Sequence, residues 1–352
     1  MARTILSGRY YCNGCFIGCG RKVKFESVKY GSVEGAGPEY ETLAMLGANC
    51  LVDSLEAVAK ANDLCNRYGL DTISTGAAIA FAMEAYEKGL ITQEDTDGVL
   101  LRWGDPDAMV TMVAMIGRRE GFGRLLGEGV RIASEKLGGA SAQFAIHVKG
   151  LELPGHDPRA YYSQGLSYTV SNRGGCHLQS FSHIFERSVT LPDLGYPEIQ
   201  DRHGVEGKGE LVATAQNLMC MLDSMKLCKF ILFGGVKTTQ LMQWLNQVTG
   251  WKMNLGEFMR TGERIYNLKR LYNVREGVSR KEDVLPARTL TYPRRTGGLA
   301  SNLPPLGELL EQFYDCRGWD EMGIPKQEVV RKLGLQREAA FLRDCPRDRL
   351  GI

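Results

Sequence analysis

The stretch that most restricts the fold is DTISTGAAIAFAMEAYEKGL, residues 71–90. A helix of this composition is apolar on nearly every side and loaded with alanine and glycine, so it has no face to offer water. It must be buried in close backbone contact with several neighbours, which calls for a multihelical core. The preceding run, DSLEAVAKANDLCNRYGL, repeats apolar residues at helical spacing. It opens on Asp53-Ser54-Leu55-Glu56, which reads as a capping box, and closes at Gly69. EYETLAMLGANCLV before it has the same periodicity, and GDPDAMVTMVAMIGRREG after it starts on Asp105 with Pro106 at the first helical position. GRLLGEGVRIASEKLGG continues in that style. Upstream of all these, RKVKFESV alternates and predicts one strand of a hairpin.

The composition shifts in QFAIHVKGLELPGHDPRAYYSQGLSYTVSNRGGCHLQSFSHIFE, which has β-branched alternation, many turn residues and four of the five histidines. A domain boundary near Lys149 follows, giving a first domain over 1–148 and a second over 149–352. The second domain returns to helical patterns in GELVATAQNLMCMLDSMKLCKFIL, TTQLMQWLNQVTG and NLGEFMRTGERIYNLKRLYNVREGV. After a proline loop come LPPLGELLEQFY and PKQEVVRKLGLQREAAFLRD. The expected fold is mainly α: two all-α domains, with short β and loop segments near the cysteine-rich start and near the domain boundary.

A chain of 352 residues with 43% hydrophobic content can build ordinary cores. Lysine plus arginine (43) almost balance aspartate plus glutamate (41), which leaves no electrostatic case for nucleic acid or an anionic membrane surface. The opening MARTILSGRYYC has no apolar signal core, and no later run approaches the ~20 apolar residues of a membrane helix. A cytoplasmic location is the expectation, with small molecules or other proteins as partners. Ten cysteines are too sparse for a disulfide scaffold in a chain this long, and in a reducing compartment clustered thiols point to metal.

Three of those thiols stand together in CNGCFIGCGRK, as Cys12, Cys15 and Cys19. A C-x2-C-x3-C loop set among Gly14, Gly18 and Gly20 can wrap one face of an iron-sulfur cube, because glycine lets the backbone approach the sulfides. The spacing leaves a 4Fe-4S cluster, a zinc site and metal-free thiols open. Zinc would want a second C-x-x-C or an H-x3-5-H pair, and neither occurs downstream. The fourth ligand of a cube would come from Cys50, Cys65, Cys176, Cys220, Cys228, Cys316 or Cys345. Cys50, Cys65 and Cys220 fall inside amphipathic helical patterns, where a cysteine is ordinarily a small hydrophobe. Glu39 and Glu41 would serve equally as first-turn helix carboxylates, and Asn66, Gly69 and Asp71 as a simple helix-turn-helix joint. His147 reads as strand-face, and His156, His183 and His203 as loop residues.

DLCNRYGLDTISTGAAIAFAMEAYEKG, with the cysteine loop before it and DSMKLC well after it, resembles the tungsten-containing aldehyde ferredoxin oxidoreductase family. The resemblance runs from Cys12 through VKGLELPGHDPR and NRGGCHL to the C-terminal helices. It implies a 4Fe-4S cluster held by Cys12, Cys15, Cys19 and Cys228, and a tungsten or molybdenum ion carried by two pterins. The pterins would be touched by two copies of a pattern close to D-x-x-G-L-(D/C): Asn66, Gly69, Leu70 and Asp71 in one, Asp223, Leu227 and Cys228 in the other. Asn66 stands where the family has an acid, and Lys226 where it has glycine. The family's proton-handling pair would be Glu41, with Glu39 second, and His177. The implied activity is oxidation of an aldehyde to a carboxylic acid with electrons passed through the cluster to ferredoxin. The same fold also serves reduction of aromatic acyl-thioesters, and a chain that kept only the cluster would be an electron-transfer subunit. Family members carry an N-terminal β-rich pterin-base domain before the cysteine loop, so a separate subunit supplying it is an expected partner, as is a second copy of the chain.

Overall fold

The computed structural model describes residues 1, 3–294 and 301–344, so Cys345 lies outside the described residues. The chain divides into two compact units, Met1–Gly155 and His156–Ile352. Both are mainly helical, as the periodicity predicts.

The first unit opens on a three-stranded antiparallel meander, β1 (Leu6–Tyr10), β2 (Gly20–Ser27) and β3 (Gly31–Ala36). The expected hairpin is thus one strand larger. β2 pairs with β1 through Tyr10↔Gly20 and with β3 from Lys22↔Ala36 to Ser27↔Gly31. Val23 and Val33 are buried with Ala59, closing the sheet over a helix. The cysteine loop is the long connection between β1 and β2.

Next comes an irregular helical segment where the sequence predicts one continuous helix: α1 (Tyr40–Thr42), a π turn over Leu43–Gly47 and a 3-10 turn over Ala48–Cys50. It stops at Leu51, which has φ 57°. Cys50 therefore lies at the end of a 3-10 turn and not in an amphipathic helix. α2 (Leu55–Tyr68) is capped by the Ser54 hydroxyl, which accepts from Ala57 N. The cap falls on Ser54 and not on Asp53, because one residue further on the short hydroxyl reaches the third amide of the helix. α3 (Thr72–Glu87) is the all-apolar helix, buried from Thr75 to Met83 and again at Ala85. α4 (Pro106–Arg118), α5 (Gly121–Leu126) and α6 (Val130–Leu137) complete the shell around it, and α4 is capped by Asp105 as expected. A Cβ on Gly76 would lie 2.5 Å from the Met45 carbonyl carbon, so α3 meets the π turn backbone to backbone. The short hairpin β4 (His147–Val148) and β5 (Leu151–Glu152) ends the regular structure of this unit.

The second unit has a helix that alternation did not predict, α7 (Tyr162–Val170), buried along its whole length. α8 (Lys208–Ser224) is the central helix, packed by α7, by α10 (Leu255–Arg275) and by α12 (Leu306–Arg317). α9 (Thr238–Thr249) lies between α8 and α10 in the chain, α11 (Ala287–Thr291) precedes α12, and α13 (Gln327–Lys332) and α14 (Phe341–Asp344) follow it. Gly262 brings α10 against α8, since a Cβ there would sit 2.1 Å from Asn217 O. Buried guanidiniums tie the bundle. Arg317 donates to Asn217 Oδ1 (2.7 Å), Ala213 O (3.0 Å) and Gln216 Oε1 (2.8 Å), fastening α12 to α8. Arg270 pairs with Asp283 at 2.9 Å with both side chains fully buried, and also donates to Gly323 O.

Removing one partner of a buried pair leaves the other charge without compensation, at a cost of about 3–5 kcal/mol. Asp283→Ala should therefore lower unfolding stability by that amount in urea titrations. An Arg270→Met, Asp283→Leu double variant should recover most of the loss.

Candidate functional site

The cysteine loop is built by glycine and by one arginine. Cys15 N donates to Cys12 O at 3.0 Å, closing a turn in which Gly14 has φ 69°, and Gly18 has φ 60°. Arg9, on β1, donates from Nε to Gly18 O (2.9 Å) and from Nη2 to Ile17 O (3.3 Å), so the strand holds the far side of the loop. A Cβ on Gly18 would meet the Tyr11 ring at 2.2 Å. Cys12 and Cys19 are exposed and Cys15 is half-buried. Three thiols on one pinned, glycine-rich loop are a donor set that fits three corners of a cube.

The other cysteines separate by burial. Cys50, Cys65, Cys176 and Cys220 are buried. Burial pushes the Cys50 and Cys65 thiols up to about 12 and raises that of Cys220, so these groups stay protonated and do not offer the thiolate a metal needs. Cys228 and Cys316 are exposed.

The two copies of the pterin-type pattern share a backbone. In the first, Gly69 takes φ 69° after α2 and Leu70 N donates back to Cys65 O at 2.8 Å. In the second, Lys226 takes φ 60° after α8 and Leu227 N donates back to Leu222 O at 2.9 Å. Both are Schellman closures, which need one left-handed residue just past the helix. The residue after each leucine is extended, Asp71 at φ −71°, ψ 123° and Cys228 at φ −67°, ψ 133°. Asp71 then caps α3, accepting from Ser74 N at 2.8 Å, which fits the helix-turn-helix joint expected there. Asn66, Asp71 and Asp223 are exposed, and Asp223 pairs with Lys229 at 3.0 Å. Lys226, the departure from glycine, keeps the glycine conformation. Exposed polar side chains beside helix-terminal carbonyls suit a ligand with many ring nitrogens.

Glu39 and Glu41 differ sharply. Glu39 is exposed and paired with Arg21 at 2.7 Å. Glu41 is half-buried, and its Oε2 accepts from Gly155 N at 2.7 Å. Gly155 belongs to LELPGHDPR, and a Cβ there would lie 2.5 Å from Ala44 Cβ, so only glycine admits this approach.

In the second unit His177 belongs to a row of imidazoles. The ring of His156 lies 5.2 Å from that of His177 and 4.3 Å from that of His183. His183 is buried in a 3-10 turn, Ser182–Ile184, where the sequence predicts a loop. Its Nδ1 is 2.8 Å from Gln164 Oε1 on α7. Burial first, then the His156, His177 and Arg187 neighbours, hold it down at about 2, so it is neutral at any ordinary pH. His156 and His183 were missed as a pair, although the crowding of four of five histidines into one segment signalled such a cluster.

Residues 1–335 match the family model described as aldehyde ferredoxin oxidoreductase, domains 2 & 3. The chain belongs to the aldehyde ferredoxin oxidoreductase family. It is similar to the tungsten-containing aldehyde ferredoxin oxidoreductase of Pyrococcus furiosus, 37% identical over 338 residues that cover 95% of this chain and 54% of that protein. It also resembles the WOR-like subunit of the aliphatic sulfonate oxidoreductase of the same organism, 31% identical over 95% of this chain and 51% of that one. Among solved structures, the active site complex BamBC of benzoyl coenzyme A reductase in complex with 1,5-dienoyl-CoA has the same fold. The TM-score is 0.74 at 18% identity, over 97% of this chain and 54% of the other. The chain thus spans about half the length of the curated relatives it matches. Among the described residues no helix is long and apolar enough to cross a membrane.

A lysine in the left-handed region costs about 1–2 kcal/mol, partly offset by the entropy a glycine loses. Lys226→Gly should therefore raise stability by about 0.5–1 kcal/mol in chemical denaturation. His183 has a folded pKa below its unfolded value of 6.5, so the unfolded state takes up its proton first as the pH falls. Its contribution is complete above about pH 6.5 and declines below it, by up to about 1.4 kcal/mol per pH unit. A His183→Gln variant should show a shallower fall in stability between pH 7 and pH 5 than the natural chain.

Proposed function

We propose that this chain forms the cluster- and pterin-contacting part of an aldehyde oxidoreductase. In this reading an aldehyde and a water become a carboxylic acid, with release of two electrons and two protons, and the electrons leave through a 4Fe-4S cluster to a ferredoxin. The observation that carries the reading is the pair of matching Schellman closures, one leading into Asp71 and the other into Cys228. The second closure joins the pterin pattern directly to a cysteine.

Cys12, Cys15 and Cys19 would hold the cluster with Cys228 as the fourth ligand, and Asn66, Gly69, Leu70, Asp71, Asp223 and Leu227 would contact the pterins. A bound tungsten or molybdenum bis-pterin would supply the two-electron oxidation. The protein's own part is to place and move protons. Glu41, half-buried and fixed by Gly155 N, is a carboxylate held in one place in a partly dry setting, where it can pass a proton. His177, whose imidazole can both take up and give a proton, would accept or donate the proton at the substrate oxygen. A subunit supplying the pterin base is a proposed partner, because water excluded from a covered cofactor strengthens every polar contact within the site.

Metal analysis of the anaerobically purified chain, alone and with such a subunit, tests the reading. About four iron atoms per chain and a cube signal in electron paramagnetic resonance are expected. Tungsten or molybdenum is expected in the assembled protein, whereas zinc without iron would sink the proposal. Cys228→Ser should abolish the cube signal, and an unchanged signal would place the fourth ligand elsewhere.

A further inference from the structure

We infer that His156 is a second catalytic imidazole, set beside His177 to hydrogen-bond the same substrate oxygen, and that His183 is the positioning residue that holds it there. The inference rests on the functional reading above and deepens it.

The three rings form a graded row. His183 is only 3% exposed, while His156 and His177 are half-buried, so the row runs from the interior outward. His183 is itself immobilised on several sides. Its Nδ1 meets Gln164, its ring is crossed edge-on by Phe181 at 5.2 Å, and Tyr161 flanks it at 5.8 Å. Its ring lies 4.3 Å from that of His156 at 30°, a tilted offset contact that leaves little room for ring reorientation. The backbone of His156 is fixed as well, because the Tyr168 hydroxyl donates to His156 O at 2.9 Å. His156 therefore presents its nitrogens in one orientation beside His177, its ring 5.2 Å from that ring and tilted 37° to it.

The chemistry of the row favours one role for each ring. His183 stays neutral, so it adds no charge behind its neighbours. Gln164 is wholly buried, and its Nε2 has no hydrogen-bond partner among the described residues. A buried amide nitrogen without an acceptor costs about 1–3 kcal/mol, which marks this floor as polar and not self-satisfied. An apolar prop would fill the space behind His156 more cheaply; an imidazole and an amide make sense where hydrogen-bonding groups must be aimed. Two imidazoles side by side, one of them held in place, can grip one carbonyl or hydrate oxygen, a preorganisation worth about 10²–10³ in turnover per donor.

The test compares His156→Phe, which keeps the ring and loses the nitrogens, with His156→Gln, which keeps a hydrogen-bonding group. The five histidines allow ring signals to be followed in histidine-labelled protein by NMR. His156→Phe should move the signals of both His177 and His183 while the unfolding midpoint stays near that of the natural chain; unmoved His177 signals would overturn the pairing. In the assembled enzyme His156→Phe should lower kcat for an aldehyde by at least ~10-fold with KM changed less than ~3-fold, and His156→Gln should recover part of it. Natural turnover in both variants would overturn the catalytic role. Failure of the unmodified enzyme to oxidise any aldehyde sinks the functional reading and the catalytic assignment together, whereas the NMR signals judge the His156–His177 pairing without it.

Discussion

Burial of α3 is the constraint on which the first unit depends. A helix apolar from Thr75 to Met83 must be covered on every side, and α4, α5, α6, β5 and the π turn pack against it. Because its middle is inaccessible, its chemistry can appear only at its ends. Its N-terminus comes out at Asp71, directly after the Schellman closure of α2, so the same joint that starts the buried helix also exposes a carboxylate and the helix-end carbonyls beside it. Gly76 extends the constraint to the π turn. By letting the Met45 backbone touch α3, it fixes the segment that carries Glu41.

The second unit reaches a comparable joint by another route. α8 is covered by α7, α10 and α12, and buried arginines do much of the fastening: Arg317 to α8, and Arg270 to Asp283. Such fastening is costly to break and gives α8 a defined end. At that end Lys226 adopts a glycine-like φ and the chain turns outward into Cys228. The two units therefore contribute the same local device, a helix stopped by a left-handed residue and followed by an extended ligand-type residue. One follows the device with oxygen, the other with sulfur.

Much of this was legible along the chain. The all-apolar helix, the Gly69 closure, the Asp71 and Asp105 caps and the long helices of the second unit all depend on residues within a few positions of one another, and local hydrogen bonding and periodicity declare them. The apolar spacing from Tyr40 to Leu51 is helical and by itself predicts a plain helix. The π turn lies where Met45 meets Gly76 of α3 backbone to backbone, a contact between residues far apart in the chain that local spacing cannot show. α7 was hidden for a related reason: its tyrosines, serines and threonine suggest a strand until burial on all sides overrides propensity.

The candidate site divides in the same way. The sequence by itself determined the cysteine loop, the two patterned helix ends and the mainly α class, since each is written in residue types at fixed short spacings. Tertiary structure alone decided which cysteines are buried and protonated, that Glu41 and not Glu39 is held by Gly155, and that His156, His177 and His183 stand in one row. Spacing along a chain reports what neighbours can bond locally, whereas burial and ring-to-ring approach depend on what the rest of the fold packs against a residue.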